Sequence, residues 1–322
     1  MKAGWFHRKR AAAVFLSLLI LSIASGCGTS APRIVKDKLN ISATIYPLAD
    51  FAAKIGGDHV HVISIVPAGV EPHDWSPSLR DISAMSRSQL LLYQGGGLEA
   101  WVDDFLRSLP SDAAVKSLEV SSGIAVRHAE VEEESGQGAL MGRLGHAEEG
   151  LDPHTWLSPV LAKRMATKIK DAMIAADPAN KADYEANYAA LAARLDGLDR
   201  RYRETLEPLP KKDIVVQHAA FGYLCREYGL TQKAIMGLTP DAEPTARQMR
   251  AIKDFVEENR VQVIFFEELV SDKLAKTLAR ETGVKTDVLS PIEGRTPEQE
   301  KAGEDYFSLM ERNLDHLAQA LK

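Results

Sequence analysis

Two stretches of the chain present a histidine in the same setting. Glu71-Pro72-His73-Asp74-Trp75 and Asp152-Pro153-His154-Thr155-Trp156 both read acid-Pro-His-x-Trp. Proline fixes its own φ near −65° and pushes the residue before it into an extended conformation, which stiffens the backbone carrying the imidazole. The tryptophan two residues on supplies an apolar anchor for the loop. A repeated, rigidly presented imidazole is a metal-ligating arrangement, and imidazole nitrogen suits zinc, copper, iron and nickel better than the hard cations. A third histidine, His218, follows the apolar stretch Asp213–Gln217 and opens the helical stretch Ala219–Tyr228. In open α/β sheets ligands collect at the carboxyl ends of strands, which is where this places His218.

Three imidazoles and one carboxylate would close a tetrahedral zinc site with no position left for a reactive water, which is the arrangement of a binding site, not a catalytic one. Glu293, just beyond the strand candidate Thr286–Leu289, is the first candidate for the carboxylate. Glu267 and Glu268, which follow Val261–Phe266, compete by the same argument, and position does not separate the three. Glu71 and Asp152 read either as acceptors that orient neighbouring ligands or as solvated carboxylates. The sequence contains no HExxH, GxSxG, P-loop or GxGxxG pattern, so no hydrolase or nucleotide-binding signature accompanies the histidines. His59 and His61 read as surface residues, and His316 sits in the last helix without a partner motif. Gly95-Gly96-Gly97 reads as a strand-to-helix turn.

The elements that must position these residues alternate. Strand candidates are Ile41–Ile45, Val60–Val66, Leu90–Gln94, Asp213–Gln217, Lys233–Met236, Val261–Phe266 and Thr286–Leu289, with helical patterns between them. That rhythm implies an α/β fold whose parallel sheets are flanked by helices on both faces. Ser158-Pro159 and Ser78-Leu79-Arg80-Asp81 look like helix starts directly after the two histidine loops. From Pro178 to Leu206 the strands stop, and Tyr184, Tyr188, Leu191, Leu195, Leu198 and Tyr202 form one apolar stripe. At 1.5 Å per residue this predicts a rigid helix roughly 40 Å long between two α/β halves. The expected division is a lobe over 41–177, a linking helix over 178–207 and a second lobe over 208–322. Segment 127–151 is rich in Glu and Gly and lacks a period, so it reads as an acidic surface loop.

The ends and totals are consistent with export. A basic start (Lys2, Arg8, Lys9, Arg10) leads into an apolar run and then Ser25-Gly26-Cys27, the plan of a lipoprotein signal over 1–26 with Cys27 lipidated and 27–40 as a tether. Cys225 is then left without a disulfide partner and reads as a small core residue. The chain of 322 residues is 45% hydrophobic and 26% charged and carries a formal charge of −6. The charged residues of the leader are all basic, so the rest is more acidic still, which argues against nucleic acid as a partner.

VPAGVEPHDWSPS, DPHTWLSP, VVQHAAFGYLCREYGL, IFFEELVS and TDVLSPIEG stand in an order and spacing that resemble the zinc-specific substrate-binding lipoproteins of bacterial ABC importers, the ZnuA/AdcA-like branch of the TroA-like metal-binding family. The resemblance runs from about Ile41 to the C-terminus. It implies two similar lobes joined by one long helix, Zn2+ as the transported ligand held between them, and His73, His154 and His218 as ligands with Glu293 at the acidic fourth position. It also implies a monomer, anchored outside the cell membrane, that delivers zinc to a membrane permease. Manganese-binding relatives generally carry a carboxylate where His218 stands, so His218 favours zinc. The alternatives are a manganese- or iron-binding member of the same family, a zinc hydrolase, or an adhesin that keeps the fold. One departure is that segment 127–151 holds only His128 and His146, where zinc-binding relatives often have a histidine-rich collecting loop.

Overall fold

The computed structural model describes residues 34–124, 151–240 and 244–322. The expected leader, Cys27, the first half of the tether and nearly all of segment 127–151 lie outside the described residues.

Two four-stranded parallel sheets share one topology. In the first, β1 (Leu39–Ala43) lies between β2 (Val60–Ser64) and β3 (Leu90–Tyr93), with β4 (Lys116–Glu119) at the edge, giving the order β2-β1-β3-β4. In the second, β5 (Asp213–Val216), β6 (Thr231–Ala234), β7 (Val263–Phe266) and β8 (Lys285–Val288) are ordered β6-β5-β7-β8. The helices are α1 (Tyr46–Gly56), α2 (Leu79–Arg87), α3 (Val102–Ser108), α4 (Pro159–Ala176), α5 (Lys181–Leu206), α6 (Gly222–Tyr228), α7 (Ala246–Glu258), α8 (Lys273–Thr282), α9 (Pro297–Lys301) and α10 (Tyr306–Ala320). No helix among the described residues is long and apolar enough to cross a membrane.

Strand alternation divides the core. Leu90 and Leu92 of β3, and Ile214 and Val216 of β5, point into one continuous cluster that draws on both sheets. Their neighbours Leu91 and Val215 point the other way, into separate clusters behind each sheet. Successive side chains leave opposite faces of a strand, so a parallel sheet covered on both sides buries every position of its central strands. All five residues of β1 are buried accordingly.

Helix α5 runs for 26 residues after a turn of 3-10 helix at Pro178–Asn180. Tyr184, Leu191, Leu195, Leu198 and Tyr202 of the predicted stripe are buried in the shared cluster, and Tyr188 is half-buried against it. The helix packs along α1, α4 and α10, so it is built into the core and is not a free spacer. The two helix starts after the histidine loops form as the sequence suggests. Ser78 and Asp81 make a reciprocal capping box on α2, and the Ser158 hydroxyl accepts from the Leu161 N–H at the start of α4.

Among the elements that differ from the expectation are two edge strands. Strand β4 has no apolar run to announce it, because Lys116 and Ser117 are exposed at the sheet edge and the strand is defined by pairing with β3. Strand β6 begins at Thr231, two residues before the expected start, since Asp213 of β5 pairs with Thr231.

Candidate metal site

His218 lies two residues past the end of β5, at the point where the strand order of the second sheet reverses between β5 and β7. Gln217 ties these two strand ends together, donating to the Ser271 carbonyl at 2.8 Å and accepting from the Glu267 N–H at 3.2 Å. One oxygen of Glu267 then accepts from the His218 backbone N–H at 3.2 Å and lies 2.6 Å from its Nδ1. A proton on Nδ1 satisfies that contact and leaves Nε2 with its lone pair facing the site.

The second histidine is held the same way. Asp152 Oδ1 accepts from the His154 N–H at 2.9 Å and lies 2.8 Å from Nδ1. The loop is fixed from three sides. Gln94, at the end of β3, donates to the Pro153 carbonyl at 2.6 Å and to the Thr155 hydroxyl at 2.8 Å. The Tyr223 hydroxyl donates to the Asp152 carbonyl at 3.1 Å, and the fully buried Trp156 donates from its indole to the Pro291 carbonyl at 2.7 Å. In the first loop Glu71 accepts from the His73 backbone N–H at 3.1 Å, while Trp75 packs edge-on against Trp101 with ring centroids 5.5 Å apart.

The three Nε2 atoms converge on Glu293. Its Oε1 lies 3.1 Å from His154 Nε2 and 3.4 Å from the Nε2 atoms of His73 and His218, and the two nitrogens of His154 and His218 are 3.2 Å apart. One donor atom from each of the four residues lies within 4.8 Å of all the others. Bonds of 2.0–2.1 Å to a tetrahedral zinc would set its ligand atoms about 3.3 Å apart, close to these separations. Among the described residues this is the one cluster with such spacing.

The rival carboxylates are thereby placed. Glu267 stands behind His218 on the Nδ1 side, and Glu268 accepts from the Gln299 amide at 2.9 Å. Glu71, Glu267, Glu268 and Glu293 line a cavity of about 10 Å³ beside the imidazoles, room for about one water. Two histidines outside the site have other partners. His59 is 2.8 Å from Asp183, and His316 is 2.6 Å from the Val288 carbonyl. Cys225 is buried in the shared core.

Burial would raise the pKa of Glu293, but His73 beside it and the contacts from His154 and His218 hold it well below the carboxylate range. Burial would lower His154 and His218; the contacts with Asp152 and Glu293 outweigh it at His154, and those with Glu267 and Glu293 outweigh it at His218, leaving both raised. Glu71 is pushed up to about 9, first by burial and then by the adjacent Glu293 carboxylate. The metal-free cluster therefore stores protons, and a cation that binds there must displace them.

Sequence reasoning did not find Gln94 or Tyr223 as supports. Gln94 lies in no histidine motif, Tyr223 lies in that of His218 and not in that of His154, and only the fold brings the two to Asp152-Pro153. Glu267 was visible as an acid at a strand end, but its side of the imidazole was not.

A two-lobed α/β protein built around one long helix, with three imidazoles and a carboxylate converging between its sheets, is a metal-binding protein of the substrate-capturing kind. The chain belongs to the family described as zinc-uptake complex component A, periplasmic, which it matches over residues 41–320. It is 37% identical over 317 residues to the high-affinity zinc uptake system protein ZnuA of Bacillus subtilis (strain 168), covering 97% of this chain and 98% of that one. It is 39% identical over 312 residues to the zinc-binding lipoprotein AdcA of Streptococcus pneumoniae serotype 4, covering 94% of this chain but only 60% of AdcA. The Zn(II)-bound ZnuA-like domain of Streptococcus pneumoniae AdcA superimposes with a TM-score of 0.73 at 38% identity, over 88% of this chain and 99% of that domain.

Proposed function

We propose that this chain captures Zn2+ outside the cell and delivers it to the permease of an ABC importer. His73, His154, His218 and Glu293 are the ligands in this reading. The carrying observation is the convergence of their four donor atoms at the separations a tetrahedral zinc requires. Three nitrogens against one oxygen favour zinc over manganese, and the names of the relatives agree.

Zinc arrives hydrated, exchanges its waters for the four protein donors, and displaces the protons held on the imidazoles. Asp152 and Glu267 keep the Nδ1 protons of His154 and His218 in place, so each Nε2 remains a donor to the metal. Four protein ligands leave no coordination position for a reactive water, so the site binds and releases and performs no catalysis. The division into lobes over 41–177 and 208–322 with the linking helix over 178–207, the acidic loop at 127–151, and the lipid anchor at Cys27 belong to the same proposal.

Isothermal titration tests it. Changing His73, His154 or His218 singly to Ala should each lower zinc affinity at least tenfold, a 1.4 kcal/mol loss. Near-parent affinity in all three variants would sink the ligand assignment. Labelling of the exported chain with a fatty acid, lost in Cys27→Ser, tests the anchor separately.

A further inference from the structure

Glu293 reaches the imidazoles through a backbone conformation that the residue before it disfavours. Ile292 has φ +57°, in the left-handed region, and its side chain is fully buried. A β-branched residue seldom occupies that region, because Cβ crowds the following carbonyl. Glycine occupies it without that cost, yet the glycine of this segment stands two positions later, at Gly294.

The surroundings hold this turn at every residue. Asn313 of α10 pairs with Ser290 in both directions, accepting from its N–H at 2.9 Å and donating to its carbonyl at 2.7 Å. The Pro291 carbonyl accepts from the Trp156 indole at 2.7 Å. The Ile292 N–H donates to the Ser290 hydroxyl at 3.3 Å, and the Glu293 carbonyl accepts from the Tyr46 N–H at 2.9 Å. Tyr46 opens α1 and Trp156 belongs to the His154 loop, so two of these bonds cross from the first-sheet side of the molecule to the segment after β8.

We infer that Ile292 is a positioning residue for Glu293: its left-handed backbone turns the carboxylate into the space between the imidazoles, and the bonds from Tyr46 and Trp156 make that turn conditional on the two lobes being engaged. Unfavourable backbone conformations persist only where the surrounding structure over-determines them. When the crossing bonds are lost, Ile292 relaxes toward the extended region and the Glu293 carboxylate leaves the cluster, so lobe separation removes one ligand and three imidazoles remain. The inference rests on Glu293 being a zinc ligand.

A cycle of zinc affinities, measured at neutral pH by competition with a chromophoric chelator, tests both levels. Ile292→Ala and Ile292→Gly are each made alone and together with Glu293→Ala. Alanine keeps the Cβ that disfavours the left-handed backbone, and glycine does not. Ile292→Ala should weaken zinc binding on the order of tenfold, as loss of an outer support does, and Ile292→Gly should recover most of that loss although it removes more side chain. Neither should matter once Glu293 is Ala. Equal losses in both backgrounds, or Gly weaker than Ala, would overturn the positioning role. Parent-like affinity in Glu293→Ala alone would instead remove Glu293 as a ligand, and the inference with it. Trp156→Phe provides a variant that leaves Ile292 intact. It should weaken binding more in the parent than in Glu293→Ala, where only its support of the His154 loop is lost, and an equal effect in both would again count against the proposal.

Discussion

The division of labour within the site is set by which nitrogen of each ring faces which carboxylate. Asp152 and Glu267 occupy the Nδ1 sides of His154 and His218, and Glu293 takes the Nε2 side. An imidazole whose Nδ1 proton has an acceptor is fixed in both tautomer and orientation, and loss of such an outer partner typically costs 10–100-fold in metal affinity. Asp152→Ala and Glu267→Ala should therefore each weaken zinc binding by about that factor. Asp152→Asn and Glu267→Gln still offer a carbonyl oxygen to Nδ1 and should lose less. Titration calorimetry on the four variants reads the order directly, and equal losses for the amide and alanine forms would point to charge as the cause, not orientation. Among the described residues no acceptor of this kind faces His73 Nδ1; Glu71 engages its backbone.

At the scale of elements, the parts legible in the sequence were those whose pattern is local. The acid-Pro-His-x-Trp repeat, the caps at Ser78 and Ser158, and the apolar stripe of α5 each announce themselves within a few turns of chain. Strand β4 did not, because an exposed edge strand carries no apolar pattern and exists through its hydrogen bonds to β3. Choosing Glu293 over Glu267 was also beyond local reading, since both acids follow strand ends and differ only in the side of an imidazole they reach after folding. The stripe of α5 carries a stability prediction of its own. Leu195 is 1% exposed and sits in the cluster that joins both sheets. Leu195→Ala removes buried methyl groups and should cost about 2–5 kcal/mol. Chemical denaturation measures this, and because the helix serves both sheets, a single transition should shift as a whole. Two separated transitions would mean the lobes unfold independently.

For the whole molecule, protons and zinc compete, and the sign follows from the direction of each shift. His154 and His218 are raised in the metal-free fold, so the stability they contribute is fully present below the ordinary histidine value near 6.5. It is lost as pH climbs through their higher folded values. Glu71 is raised from 4.5 to about 9, so its contribution is complete below 4.5 and drains away up to about 9. Glu293 is depressed, so its contribution is present above 4.5 and is lost only in acid. Between pH 6 and 9 the shifts of His154, His218 and Glu71 therefore act in one direction, and the metal-free protein should melt at progressively lower temperature across that range. Zinc replaces the same protons, so its apparent affinity should climb about tenfold per pH unit for each proton displaced, and the gap between the melting temperatures of loaded and metal-free protein should widen. Scanning calorimetry of both forms across this range, with Glu71→Gln alongside, tests the account. The amide stays neutral at every pH, so its metal-free melting temperature should fall less steeply than that of the parent. Identical slopes for the two proteins would show that Glu71 does not titrate against the fold in this range.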